Sequence, residues 1–179
     1  DGGMNDSTRT STARAEQLIQ EEVTDLLGLS FEEARTHLTK LAPKERLEWA
    51  LEKFQRRFVL TTSFGVQSSV LLHMLHCLKG GDKVPVIWVD TGYLPKETYL
   101  YADLLSKRFD LDIKPVQSEI SPARMEALYG LLWETDSVED LEKYHLIRKV
   151  KPLENALNTY KSLCWASGVR GSQTDHRKS

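Results

Sequence analysis

Cysteine is scarce: Cys77 and Cys164 are the only two in 179 residues. Two are too few for a disulfide framework or a four-cysteine metal site. Excess charge of one sign is also missing, with 24 Lys and Arg against 26 Asp and Glu and a formal net charge of −2. That balance argues against general affinity for nucleic acid or anionic membranes, although a local basic pocket would not show in the sum. No apolar run approaches the roughly 20 residues needed to cross a bilayer. The amino-terminal stretch DGGMNDSTRTSTARAE lacks the apolar segment of a secretory signal, so a cytoplasmic location is expected. Ten Gly and six Pro are ordinary counts and exclude collagen-like and low-complexity classes. What remains suits one α/β domain with a substantial core.

The first ~15 residues are polar, rich in Ser and Thr, and expected to be frayed. Leu18, Ile19, Val23, Leu26 and Leu27 then recur at helical spacing. Ser30 with Glu33 forms a capping-box pattern opening a second helix, and Pro43 opens a third. A helical region over 1–57 is therefore expected, ahead of an α/β domain over 58–179. FVLTT (58–62), VPVIWV (84–89), LDIKPV (111–116) and LCWAS (163–167) have the texture of buried strands, with helical patterns between them. Such alternation predicts a parallel sheet covered by helices on both faces. Ligands bind beyond the carboxyl ends of such strands, which selects segments 61–69, 90–95 and 168–177.

Each selected segment has two readings. In Thr61-Thr62-Ser63-Phe64-Gly65-Val66-Gln67-Ser68-Ser69, hydroxyls and a glycine at a strand–helix junction suit an anion, or simply an N-cap. Asp90-Thr91-Gly92 follows a strand directly, so Asp90 could accept from a ribose hydroxyl or cap the next helix. Arg170, Arg177 and Lys178 could clamp phosphate or form a solvated basic tail. Cys77 lies among leucines and Cys164 within an apolar strand, so both are expected to be buried structural thiols.

In order along the chain, SFGVQSS, VDTGYLPKETY, LYGLLWE, YHLIRKVKPLENAL and WASGVRGSQTDHR resemble the assimilatory sulfonucleotide reductases. Their branch that acts on 3′-phosphoadenylylsulfate (PAPS) is the nearer match. The resemblance implies an adenine nucleotide α-hydrolase-like fold, in which Thr62, Ser63, Gly65 and Gln67 hold the nucleotide phosphate. It implies that backbone groups around Val89, Asp90 and Thr91 recognise adenosine, and that Gly92 permits close approach. Lys149 would face the phosphosulfate, while Gly168, Arg170 and Arg177 complete the anion site. Thioredoxin or glutaredoxin would supply electrons, and family members are often homodimers.

Departures from relatives refine that expectation. ATP-cleaving enzymes of the same fold carry Ser-Gly-Gly-x-Asp-Ser in the first loop. The loop here lacks the second Gly and the Asp, which weighs against an ATP-pyrophosphatase-type adenylyltransferase. Reductases acting on adenylylsulfate carry paired cysteines where this chain has Tyr144-His145, and a later Cys-x-x-Cys. No iron–sulfur cluster is therefore expected. The family nucleophile lies in a Glu-Cys-Gly-[Leu/Ile]-His motif that residues 1–179 do not contain. The catalytic cysteine is thus expected beyond Ser179, and the chain as it stands would be inactive alone. A non-catalytic nucleotide-binding module is the remaining alternative.

Overall fold

The structure, a computed structural model, describes residues 6–168. The chain divides between Gln55 and Arg56 into two compact units. The first unit holds α1 (Asp6–Leu27), α2 (Phe31–Lys40) and α3 (Pro43–Phe54). Helix α1 begins inside the stretch expected to be frayed; Ala13, Arg14, Ala15 and Glu16 are good helix formers and carry the helix upstream. The Ser30 capping box forms, with Glu33 N–H donating to Ser30 Oγ and Ser30 N–H to Glu33 Oε2. At α3, Ala42 has no acceptor of its own, yet its N–H donates to Glu45 Oε2 at 2.7 Å.

The second unit is built on β1 (Phe58–Thr62), β2 (Val86–Val89), β3 (Ile113–Val116) and β4 (Cys164–Ser167). Its helices are α4 (Ser68–His76), α5 (Lys96–Phe109), α6 (Pro122–Tyr129), α7 (Val138–His145) and α8 (Lys151–Thr159). The strands pair in parallel in the order β3-β2-β1-β4. The chain steps outward from β1 to β2 to β3, then returns to the other side of β1. The switch point therefore lies between β1 and β4, where ligand crevices form in open α/β sheets.

Both faces of the sheet are covered. Val59 and Ile87 pack with Ala156, Leu153 and Leu157 of α8. Trp88, one residue along β2, turns to the opposite face and meets the Tyr99 ring of α5 at 5.7 Å. Phe58, Val59 and Leu60 are fully buried, because β1 is flanked on both sides as well as covered above and below.

Two expectations about the cysteines need correction. Cys77 is exposed, because it caps the C-terminus of α4 and lies off the line of Leu72, Leu75 and Leu78, which are buried. Cys164 is only partly covered, because β4 is an edge strand whose residues alternate and Trp165 stands 52% exposed.

Candidate functional site

The loop after β1 is shaped by Phe64, which adopts φ +51° although it is not glycine. Its ring is buried edge-on against Trp88 at 5.0 Å, and its N–H donates to Thr62 Oγ1. Packing holds the left-handed backbone in place. With Phe64 turned inward, Ser63, Gly65, Val66 and Gln67 are all exposed at the start of α4. Among the described residues a Cβ at position 65 would meet only Ser63 Oγ, at an ordinary 3.7 Å.

The loop after β2 is organised by Asp90, which is 7% exposed. Its Oδ1 accepts from Gly92 N–H at 2.8 Å and Tyr99 Oη at 2.7 Å, and its Oδ2 accepts from Gln117 Nε2 at 2.7 Å. Burial by itself would raise this carboxyl. The bonds from Gly92, Tyr99 and Gln117, with the nearby Arg148 charge, outweigh burial and hold it below the usual range. The Asp90 side chain does not cap α5, whose N-cap is Pro95; in this structure its carboxylate shapes its own loop. Gly92 has φ +77°, and a Cβ there would lie 2.7 Å from Pro122 Cγ and 2.9 Å from Arg148 Nη2. Only glycine fits.

Two backbone groups expected to meet adenosine are already engaged. Asp90 N–H donates to the Val116 carbonyl at 2.9 Å, and the Thr91 carbonyl accepts from Nε and Nη2 of Arg148. Arg148 sits in a π-helical turn, Leu146–Val150, between α7 and α8. Lys149, next on that turn, is exposed, with Nζ 5.8 Å from the Tyr144 ring centre. Tyr144 belongs to an aromatic group with Trp133 and Tyr93, whose rings are 4.4 Å apart. Burial and the bond to Glu126 push the Tyr93 hydroxyl up to about 12. This group brings Lys149 toward the 90–93 loop.

The register gathers the predicted residues further. Thr62 pairs with Trp88 and Thr61 with Ser167, so the 63–67 loop, Val89–Gly92 and the exposed Gly168 open at the carboxyl ends of the strands. Arg170 and Arg177 lie outside the described residues. A cleft of about 140 Å³, lined by Gln117, Ile120, Lys151 and Asn155, sits further out at the β3 end. No group of three or more His, Cys, Asp or Glu placed to hold a metal occurs among the described residues. Cys164 pairs with Phe58 at the amino end of the sheet, away from these loops, and burial pushes its thiol up to about 11. Cys77 is at the far end of α4 from the β1 loop.

Sequence reasoning missed Arg148, Tyr99 and Gln117 as parts of this network. Only the Arg-Lys pair inside a recognised motif pointed toward one of them.

Residues 57–179 match the family model described as "Phosphoadenosine phosphosulfate reductase domain". A phosphoadenosine 5′-phosphosulfate reductase from Synechococcus sp. is 49% identical over 150 residues, covering 84% of this chain and 64% of that protein. One from Synechocystis sp. is 44% identical over 153 residues, covering 86% of this chain and 61% of that protein. The chain thus spans under two thirds of the length of these curated relatives. A crystal structure of PAPS reductase from Candida auris, a phosphate complex, superposes with a TM-score of 0.67 at 27% identity. The superposition covers 81% of this chain and 70% of that one, and it supports the adenine nucleotide α-hydrolase-like fold.

Proposed function

Since the chain belongs to the phosphoadenosine phosphosulfate reductase domain family, we propose that it binds PAPS for thiol-dependent reduction to sulfite and adenosine 3′,5′-bisphosphate in sulfate assimilation. The observation that carries this reading is the adjacency set by strand register. An exposed hydroxyl- and glycine-bearing turn, the rigid 90–92 loop and Gly168 meet at the switch point of a parallel sheet. In this reading Thr62, Ser63, Gly65 and Gln67 receive the nucleotide phosphate, helped by the N-terminus of α4. The strand end at Val89, with Asp90, Thr91 and Gly92, receives adenosine through backbone groups other than the Asp90 and Gly92 N–H groups and the Thr91 carbonyl, which are already engaged. Lys149, Gly168, Arg170 and Arg177 surround the phosphosulfate. The similar PAPS reductase structure from Candida auris is a phosphate complex, which is in keeping with an anion-binding protein.

The chemistry assigns this chain the anion-binding half of the reaction. A cysteine thiolate attacks the sulfuryl sulfur, and the sulfur–oxygen bond to the 5′-phosphate breaks with its electron pair staying on the phosphate. Cations beside that phosphate stabilise the charge as it forms. A thiolate of reduced thioredoxin or glutaredoxin then attacks the cysteine sulfur of the S-sulfocysteine and displaces sulfite, leaving a mixed disulfide; the donor's second thiol resolves it, forming the donor's disulfide and freeing the enzyme cysteine. Such donors are kept reduced in the cytoplasm, which suits the expected location. Neither resident cysteine serves as nucleophile, since Cys164 lies at the wrong end of the sheet and Cys77 at the wrong end of α4. We place the nucleophile outside these 179 residues. A homodimer is compatible with this scheme.

Calorimetry with adenosine 3′,5′-bisphosphate, alongside sulfite release from PAPS with reduced thioredoxin, tests the reading. Binding without turnover is expected, with turnover appearing once a Glu-Cys-Gly-x-His tail is joined. Pyrophosphate release from ATP and magnesium, or absence of nucleotide binding, would reject it.

A further inference from the structure

Arg148 is the bulkiest fully buried side chain among the described residues, 1% exposed. A guanidinium removed from water is costly unless its donors are taken up. Here Nε donates to the Thr91 carbonyl at 2.8 Å, Nη2 to the same oxygen, and Nη1 to the Ile120 carbonyl. Those carbonyls belong to the loops that leave β2 and β3. Arg148 therefore ties two strand ends together by their backbones, and the planar fork suits a two-carbonyl tie as no other side chain does. Both acceptor positions of the Thr91 oxygen are used, which fixes the peptide plane leading into Gly92. The guanidinium also fills the space beside Gly92, where a Cβ would meet Nη2 at 2.9 Å. Its positive charge helps keep the Asp90 carboxyl ionised, and that carboxylate in turn holds Gly92 N–H.

We propose that Arg148 is a positioning residue for base recognition: it sets the 90–92 backbone against which the adenine is read, without touching the nucleotide itself. This inference rests on the nucleotide site proposed above. Lys149, on the same turn but exposed, contributes charge to the anion and nothing to the choice of base.

The test compares binding of adenosine 3′,5′-bisphosphate and inosine 3′,5′-bisphosphate to wild type, R148Q, R148K and K149A. Wild type should prefer the adenine ligand by roughly tenfold or more, as expected where a backbone hydrogen bond discriminates. In R148Q the adenine ligand should weaken until the ratio approaches one. R148K should behave likewise, since an ammonium lacks the fork. K149A should weaken both ligands equally and keep the ratio. A defect in folding alone would lower active protein without altering the ratio. If the Arg148 variants do not fold, nitrogen-15 NMR of wild type decides. Ligand binding must shift the Gly92 amide and slow exchange of the Arg148 Nε–H, and an unresponsive Nε–H overturns the proposal. Unaltered ratios in R148Q and R148K, or a wild-type ratio near one, also overturn it. Wild type that binds neither ligand instead rejects the nucleotide site.

Discussion

Tyr99 donates its hydroxyl to Asp90 Oδ1 over 2.7 Å, so α5 is fastened back onto the loop from which it springs. The partnership is asymmetric in charge. Burial and the neighbouring carboxylate raise the Tyr99 hydroxyl, keeping it protonated and able to donate. Asp90 stays ionised and accepts from three donors, which join β2, α5 and the segment after β3.

That arrangement sets an acid limit on stability. The folded-state carboxyl of Asp90 lies below its ordinary value of 3.8, so its contribution is complete above that value. It is lost as pH falls through the lower folded value. Asp90→Asn should cost roughly 1–3 kcal/mol at neutral pH, the scale for a buried acceptor losing its charge and one matched donor. The gap between wild type and variant should then narrow on acidification below about pH 4. Urea titrations across pH check this, and a gap independent of pH would contradict it.

Two glycines should respond differently to alanine. Gly92→Ala forces a left-handed backbone and a contact with Pro122 and Arg148, and should destabilise the fold by more than about 1 kcal/mol. Gly65→Ala meets only an ordinary contact within the protein, so its melting temperature should stay within error. Affinity for adenosine 3′,5′-bisphosphate should nonetheless fall, because in the proposed site the added methyl would stand where the phosphate approaches. Equal melting temperatures for the two variants would count against this account of the loops.

Lys149→Ala should weaken adenosine 3′,5′-bisphosphate binding by roughly tenfold to a hundredfold, the range for one charge-assisted contact. The residue is exposed, so thermal stability should not change. The deficit should shrink at high salt as the remaining charges are screened. Unchanged affinity in low salt would remove Lys149 from the site.

The thiols should separate by reactivity. Cys77 is exposed and should react with a disulfide reagent in native buffer. Cys164, partly covered and with its thiol pushed up to about 11 by burial, should react more slowly than Cys77 in native buffer. A native titration that counts two fast thiols would show that β4 opens more readily than its pairing with β1 implies.

Purified without oxygen, the chain should show no broad visible charge-transfer absorption, because Tyr144-His145 replaces the paired cluster cysteines. Stoichiometric iron and labile sulfide would overturn the assignment to the PAPS branch.

Much of the framework was legible because its causes are local. Apolar runs place four strands, Ser30 with Glu33 and Pro43 mark helix starts, and strand–helix alternation implies a parallel sheet. The loops at 63–67 and 90–92 stood out because glycines and hydroxyls follow strands directly. Chain-level signals reach only a few residues, however, and the site is joined over longer spans. Gln117 lies 27 residues from Asp90 and Arg148 lies 57 from Thr91, so neither bond leaves a trace in local pattern. In RKVKP the sequence offers three cations that look equally suited to solvent. The π turn and the packing around it bury Arg148 and leave Lys149 outside. Cys77 shows the same division, since neighbouring leucines suggested burial while its place at the end of α4 exposed it. Sequence determined which elements form and where the strand-end loops fall, through propensity, capping and apolar spacing. Tertiary structure alone decided which charged and polar groups lose water, because that depends on what the fold brings against them.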